Sequence, residues 1–163
     1  MINQVAVTMA FQIQGINPLN FYHLLILPDA QLKEKNACWK LVDASPGYPC
    51  RVSLVDAKAG ERVLCLPYSH HNTSSFYRAS GPIFIREHAE PAKLDTNEVP
   101  LMLRHRLLSI RAYNCEGLME TAEVAQGADL EGVLEKQFSL GSVEYIHIHN
   151  ALPGCFNCAV YRA

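Results

Sequence analysis

Along the chain, the first clear pattern lies in MAFQIQG, where Phe11 and Ile13 alternate with glutamines at the two-residue period of a half-buried strand. Asn17 then offers an N-cap and Pro18 a first helical position. Leu19, Phe21 or Tyr22, and Leu25 form an apolar stripe that Pro28 stops. Asp29 is placed to cap another short helical turn. CWKLVDA reads as a strand, and the SPGYPC after it as a loop whose prolines fix the path and withhold backbone donors. GERVLCLPY and GPIFIRE are apolar runs too short for helices and bounded by turn residues, so both are strands.

DTNEVPLMLRHR has polar caps and a proline in its first turn, then Leu101 and Leu103, which predicts a short helix before the alternating LLSIRAY. LMETAEV is one more strand. ADLEGVLEKQF puts Leu130, Val133, Leu134 and Phe138 on one helical face, with Asp129 as cap and Gly141 beyond the end. About seven or eight strands and three or four short helices, in runs rather than alternation, predict an α+β fold. The expectation is a single compact domain with a mixed, largely antiparallel sheet.

Length and composition narrow the class. A chain of 163 residues can bury roughly 70% of its unfolded surface in one core. With 49% apolar residues and a formal charge of -2, nothing reads as disordered. Arginines dispersed among acids leave no concentrated basic surface for nucleic acid. Apolar runs such as Leu24 to Leu27 fall far short of the roughly 20 residues that span a bilayer. Residues 1–10 lack the basic and apolar regions of a secretory signal, so a cytoplasmic protein is expected. The six cysteines are scattered through apolar segments, which favours reduced thiols over a disulfide framework.

The chemistry gathers near the end, in YIHIHNALPGCFNC. On a strand, Val143, Tyr145, His147 and His149 share one face, with Ile146 and Ile148 on the other. The strand's apolar start would enter the core and its last residues would line a cleft. Histidines at i and i+2 stand about 6.6 Å apart at strand rise, so both imidazoles could converge on one divalent ion such as zinc. A third ligand would have to come from Cys155, Cys50, His70, His71 or a carboxylate. The other reading is a hydrogen-bonded pair that is structural or touches substrate.

Cys155 and Cys158 do not read as a redox pair, because Pro153-Gly154 leads into an apolar strand rather than a helix N-terminus. Cys158 fits a small buried apolar residue. Cys155 follows Pro-Gly closely, as Cys50 does in PGYPCR, and each thiol stands just past a stiff loop. Arg51 beside Cys50 would favour a thiolate if the groups met in space, and two buried cysteines beside tight turns are the plainer alternative. In SSFYRASGPIFIRE, Tyr77 and Arg78 stand apart from any charge run. Arg78 and Arg51 could grip an anion, or Arg78 could pair with Asp43, Asp56 or Glu87. SHHN, from Ser69 to Asn72, reads as a solvated loop.

ASPGYPCRVSLVDAKAGERVLCLPY, YRASGPIFIRE, LRHRLLSIRAY and YIHIHNALPGC, in that order, resemble the uncharacterised bacterial domain-of-unknown-function family 1203, from about Phe11 to Ala163. The resemblance implies a compact bacterial domain and supplies no mechanism. Members begin near a segment like MAFQIQG. The resemblance therefore implies that residues 1–8 are an N-terminal extension to a globular domain at 9–163, and that deleting them leaves thermal stability unchanged.

No dinucleotide fingerprint, phosphate loop or nucleophile elbow narrows the reaction, and no cofactor is evident. One reading is an enzyme on a small anionic metabolite, with His147 or His149 as base or metal ligand, Cys50 or Cys155 as thiol, and Arg51, Tyr77, Arg78 and Asn150 as ligand contacts. The others are a non-catalytic ligand-binding or sensor module, and an interaction domain in which these residues scatter. Substrate and oligomeric state are open.

Overall fold

The computed structural model describes residues 9–163, so the expected extension at residues 1–8 lies outside the described residues. The eight strands are β1 (Phe11–Gln14), β2 (Cys38–Leu41), β3 (Arg62–His71), β4 (Ala79–Arg86), β5 (Leu107–Tyr113), β6 (Met119–Gln126), β7 (Tyr145–Asn150) and β8 (Phe156–Arg162). Four short helices accompany them: α1 (Tyr22–Leu25), α2 (Asp29–Glu34), α3 (Leu101–Arg104) and α4 (Leu130–Phe138). The fold is α+β, and every strand pair is antiparallel. The strands divide between two sheets, ordered β1-β8-β7-β5-β6 and β2-β3-β4.

Local chemistry sets the helix starts. The Asn17 side chain accepts from Leu19 N at 3.0 Å and opens a 3-10 turn, Pro18–Asn20, that leads into α1. Pro28, not Asp29, occupies the N-cap of α2, since its extended backbone and missing N–H suit that position. Another 3-10 turn, Gly127–Asp129, feeds α4.

Two cores result. One face of the larger sheet carries Ile13, Leu108, Ile110, Ile146, Ile148, Cys158 and Val160, which join the apolar stripe of α4 and Met102 and Leu103 of α3. Leu64, Leu66, Ile83 and Ile85 of the smaller sheet join Phe21, Leu24 and Leu32 in a second core, which Phe156 of β8 enters from the other sheet. The remaining polar face of the larger sheet is where the chemistry lies. There Arg111 of β5 stands opposite His147, and Ser109 opposite His149.

Three sequence expectations change here. Val143 packs with Ile146 and Ile148, because it precedes β7 and escapes the strand's alternation. The burial gradient of β7 runs the other way: Tyr145 is half-buried, while His149 and Asn150 are buried. Ser69 to His71 complete β3 rather than a solvated loop, and His71 is buried.

Candidate functional site

The segment from Pro49 to Asp56 is closed by a bridge between its own ends, Pro49 and Asp56. Inside it Cys50 N donates to Val55 O at 3.1 Å and Leu54 N to Cys50 O at 3.0 Å. Neighbours tether it on several sides. Arg51 N donates to Phe84 O, Arg51 O accepts from Ile16 N, and Val52 O accepts from Ala92 N. The tight path forces Leu54 into the left-handed region, at φ 53°, where a branched side chain is strained.

This framework drives Arg51 inward, with no part of it exposed. Its Nε donates to Phe156 O at 2.7 Å and Nη1 to Pro49 O at 2.5 Å, and Nη2 lies 3.1 Å from Cys155 Sγ. The centre of the Phe84 ring lies 5.5 Å from the guanidinium carbon. No carboxylate pairs with Arg51 among the described residues. Burial pushes the guanidinium below its ordinary pKa, and the Cys155 sulfur pushes it back up.

Cys155 accepts a second donor, Asn150 Nδ2, at 3.2 Å. Asn150 Oδ1 in turn accepts from Asn157 Nδ2 at 2.7 Å. Asn157 reaches it because the β7–β8 register shifts between Ile148 and His149, leaving Asn157 as an extra residue in β8. Gly154, at φ 76°, makes the turn before Cys155, and His149 Nδ1 donates to its carbonyl at 2.9 Å. Asn150 and Pro49 line a cavity of about 300 Å³ together with Leu107, Leu152 and Pro153.

Beside this cluster, His70 and His71 from β3 meet His147 and His149 from β7. The ring centres of His70 and His149 are 5.0 Å apart, as are those of His71 and His147. The Phe156 ring stacks on His70 at 5.2 Å and meets His147 and His149 edge-on. His71 Nδ1 donates to Tyr77 O at 2.8 Å, so its Nε2 accepts from the Tyr145 hydroxyl at 2.7 Å. Burial, reinforced by neighbouring histidines and Arg111, holds His147 down to about 3 and His70 to about 4. Burial likewise holds His149 to about 4, against the contrary effect of its bond to Gly154. His70 Nδ1, His147 Nδ1 and His149 Nε2 are buried without a hydrogen-bond partner among the described residues.

The residues singled out from sequence thus separate. Arg51, Asn150 and Cys155 form one contact group, with His149 one carbonyl away. His147 and Tyr77 belong to the histidine cluster. Cys50 is buried, and its sulfur accepts from Arg86 N rather than from Arg51. Arg78 is exposed in the turn between β3 and β4 and forms no ion pair among the described residues, whereas Arg51 is fully buried. Cys158 is a core residue, its thiol pushed up to about 12 by burial. The ring centres of His147 and His149 are 6.3 Å apart, and among the described residues no group of three or more His, Cys, Asp or Glu side chains is placed to hold a metal ion.

Sequence reasoning missed Asn157, hidden in an apolar strand, and the entry of His70 and His71 into the interior. No helix among the described residues is long and apolar enough to cross a membrane. A family described as Protein of unknown function (DUF1203) matches residues 47–162, and the chain belongs to it. No curated protein and no solved structure matches the chain.

Proposed function

We propose that this member of the family is an enzyme acting on a small molecule through the sulfur of Cys155, with Arg51 and Asn150 holding that sulfur as a nucleophile. The observation that carries this reading is the buried Arg51 guanidinium, whose hydrogen-bond partners are two carbonyl oxygens and Cys155 Sγ. An uncompensated buried charge costs several kcal/mol. Two carbonyls solvate the guanidinium but do not neutralise it. A thiolate at Cys155 does, and N–H donors aimed at sulfur favour that form.

The division of labour follows. Arg51 has its donor fork occupied and acts on the sulfur rather than on substrate. Asn150 is the second donor, oriented by Asn157, and His149 positions the turn through Gly154 O. Cys155 does not itself line the cavity of about 300 Å³ beside it, but Asn150, which donates to its sulfur, does, and that cavity would receive a small electrophile. Reduced thiols at all six cysteines fit a cytoplasmic location.

Site-resolved labelling tests the proposal. Folded full-length protein is exposed to substoichiometric iodoacetamide at neutral pH, and each cysteine is quantified by mass spectrometry. Cys155 is expected to react at least tenfold faster than the exposed Cys38 and Cys115. Labelling of Cys155 no faster than these two sinks the reading.

A further inference from the structure

The end of the Pro49–Asp56 segment, Ser53 to Asp56, walls a second, larger space of about 780 Å³, the size of a site for a drug-sized molecule. Its apolar lining includes Leu54, Val55, Ala92, Leu94, Leu101 and Met102, of which Val55 and Leu101 are the most exposed and Leu54 and Met102 almost wholly buried. The strained Leu54 lies in this wall, and strain held in place by surrounding structure is a mark of ligand sites. Leu101, one of the two leucines that predict α3, is 79% exposed and lines the space, while Met102 is buried.

The polar groups at this cavity are unequal. Asp56 is committed, with its two oxygens bonded to Arg106 at 3.0 and 2.5 Å. Glu98 is committed through Oε2, which accepts from Asp95 N at 2.7 Å. Lys58 and Lys93 also line the space and form no ion pair among the described residues. Ser53 Oγ, in the same lining, is buried with no partner among the described residues. An apolar hollow with two uncommitted ammonium groups and an orphan hydroxyl matches a ligand with an apolar body and an anionic head.

We propose that this cavity binds an amphipathic carboxylate, its hydrocarbon against Leu54, Leu94 and Met102 and its carboxylate toward Lys58, Lys93 and Ser53. The site is separate from Cys155, though the Asp56–Arg106 pair stands between the two, since Arg106 lines the smaller cavity. It does not depend on the thiol chemistry.

Octanoate and octylammonium, equal in chain length and opposite in head charge, are the probes, titrated calorimetrically into full-length protein. Saturable one-to-one octanoate binding is expected, with octylammonium at least tenfold weaker. The double variant Lys58→Glu/Lys93→Glu, altering two exposed side chains, should lose at least tenfold in octanoate affinity. Val55→Trp, at the half-exposed rim, should block binding by filling the hollow. Cys155→Ser should bind octanoate unchanged. Absence of saturable octanoate binding overturns the proposal, as does equal affinity for the two probes or an octanoate affinity that survives charge reversal.

Discussion

Arg51 Nη2 lies 3.1 Å from Cys155 Sγ although 104 residues separate the two in sequence. The contact is fixed from both ends. Backbone bonds to Phe84, Ile16 and Ala92 hold the segment that carries Arg51, and a left-handed glycine plus the Asn150–Asn157 relay hold the sulfur. Neither side chain is free to leave without stranding a buried donor or a buried charge.

Removing donors from the sulfur should therefore slow it. Asn150→Ala deletes one of two N–H groups on Cys155, and Arg51→Lys keeps the charge but replaces the planar fork with an ammonium. Each is expected to reduce the Cys155 alkylation rate roughly tenfold, the equivalent of one charge-assisted hydrogen bond of about 1.4 kcal/mol. Labelling of Cys38 and Cys115 in the same samples serves as the internal reference, and their rates should not change.

The histidine cluster makes stability depend on pH. His147 is held to about 3 and His70 and His149 to about 4 in the folded protein, whereas the unfolded chain protonates them near 6.5. The unfolded state then binds more protons throughout that interval. The contribution is fully present above about pH 7 and is lost as pH falls from 6.5 toward 4 for His70 and His149 and toward 3 for His147. Each fully excluded imidazole gives a slope of about 1.4 kcal/mol per pH unit, less for the partly exposed His70. Urea unfolding at a series of pH values should show this decline, and His147→Asn should flatten it.

At Gly15 the chain passes close against the Arg51 segment. A Cβ there would lie 2.5 Å from Val52 O and 3.0 Å from Arg51 O, both backbone atoms. Gly15→Ala is expected to destabilise the protein by roughly 1–3 kcal/mol. Because the strain falls on the Val52 carbonyl and, next to it, the Arg51 carbonyl, Cys155 labelling should slow as well. Chemical denaturation and the same labelling experiment measure the two effects.

The strands were legible because their period of two survives in single segments such as FQIQ, LLSIRAY and YIHIHN. Their division into two sheets was not, since pairing β3 with β2 and β4 leaves no periodic trace. SHHN looked like a loop because Ser, His and Asn favour turns in water. Here His71 finds Tyr77 O and the Tyr145 hydroxyl instead of solvent, and sequence alone does not tell a polar interior from a polar surface. The Pro-Gly approaches to Cys50 and Cys155 did flag both thiols. That Arg51 serves the distant sulfur rather than its chain neighbour follows from the divergence of adjacent side chains together with a long-range packing that no local pattern encodes. Asn157 was unreadable for another reason: a one-residue bulge reverses the facing that strict alternation assigns.

That bulge gives a further prediction. Asn157→Leu removes the donor to Asn150 Oδ1 and leaves that oxygen buried without it. A loss of roughly 1–3 kcal/mol in unfolding free energy is expected. The released Asn150 amide should also loosen its hold on Cys155, which amide hydrogen exchange at residues 150–155 would detect.

The central claim is that Cys155 carries negative charge against Arg51 in the folded protein. The most direct measurement is the ultraviolet thiolate absorbance of native protein at neutral pH, compared with Cys155→Ser under the same conditions. The account predicts a thiolate signal of about one sulfur in the native chain that is missing from the variant and collapses when the native chain is unfolded at the same pH. Identical spectra for the two folded proteins would contradict it.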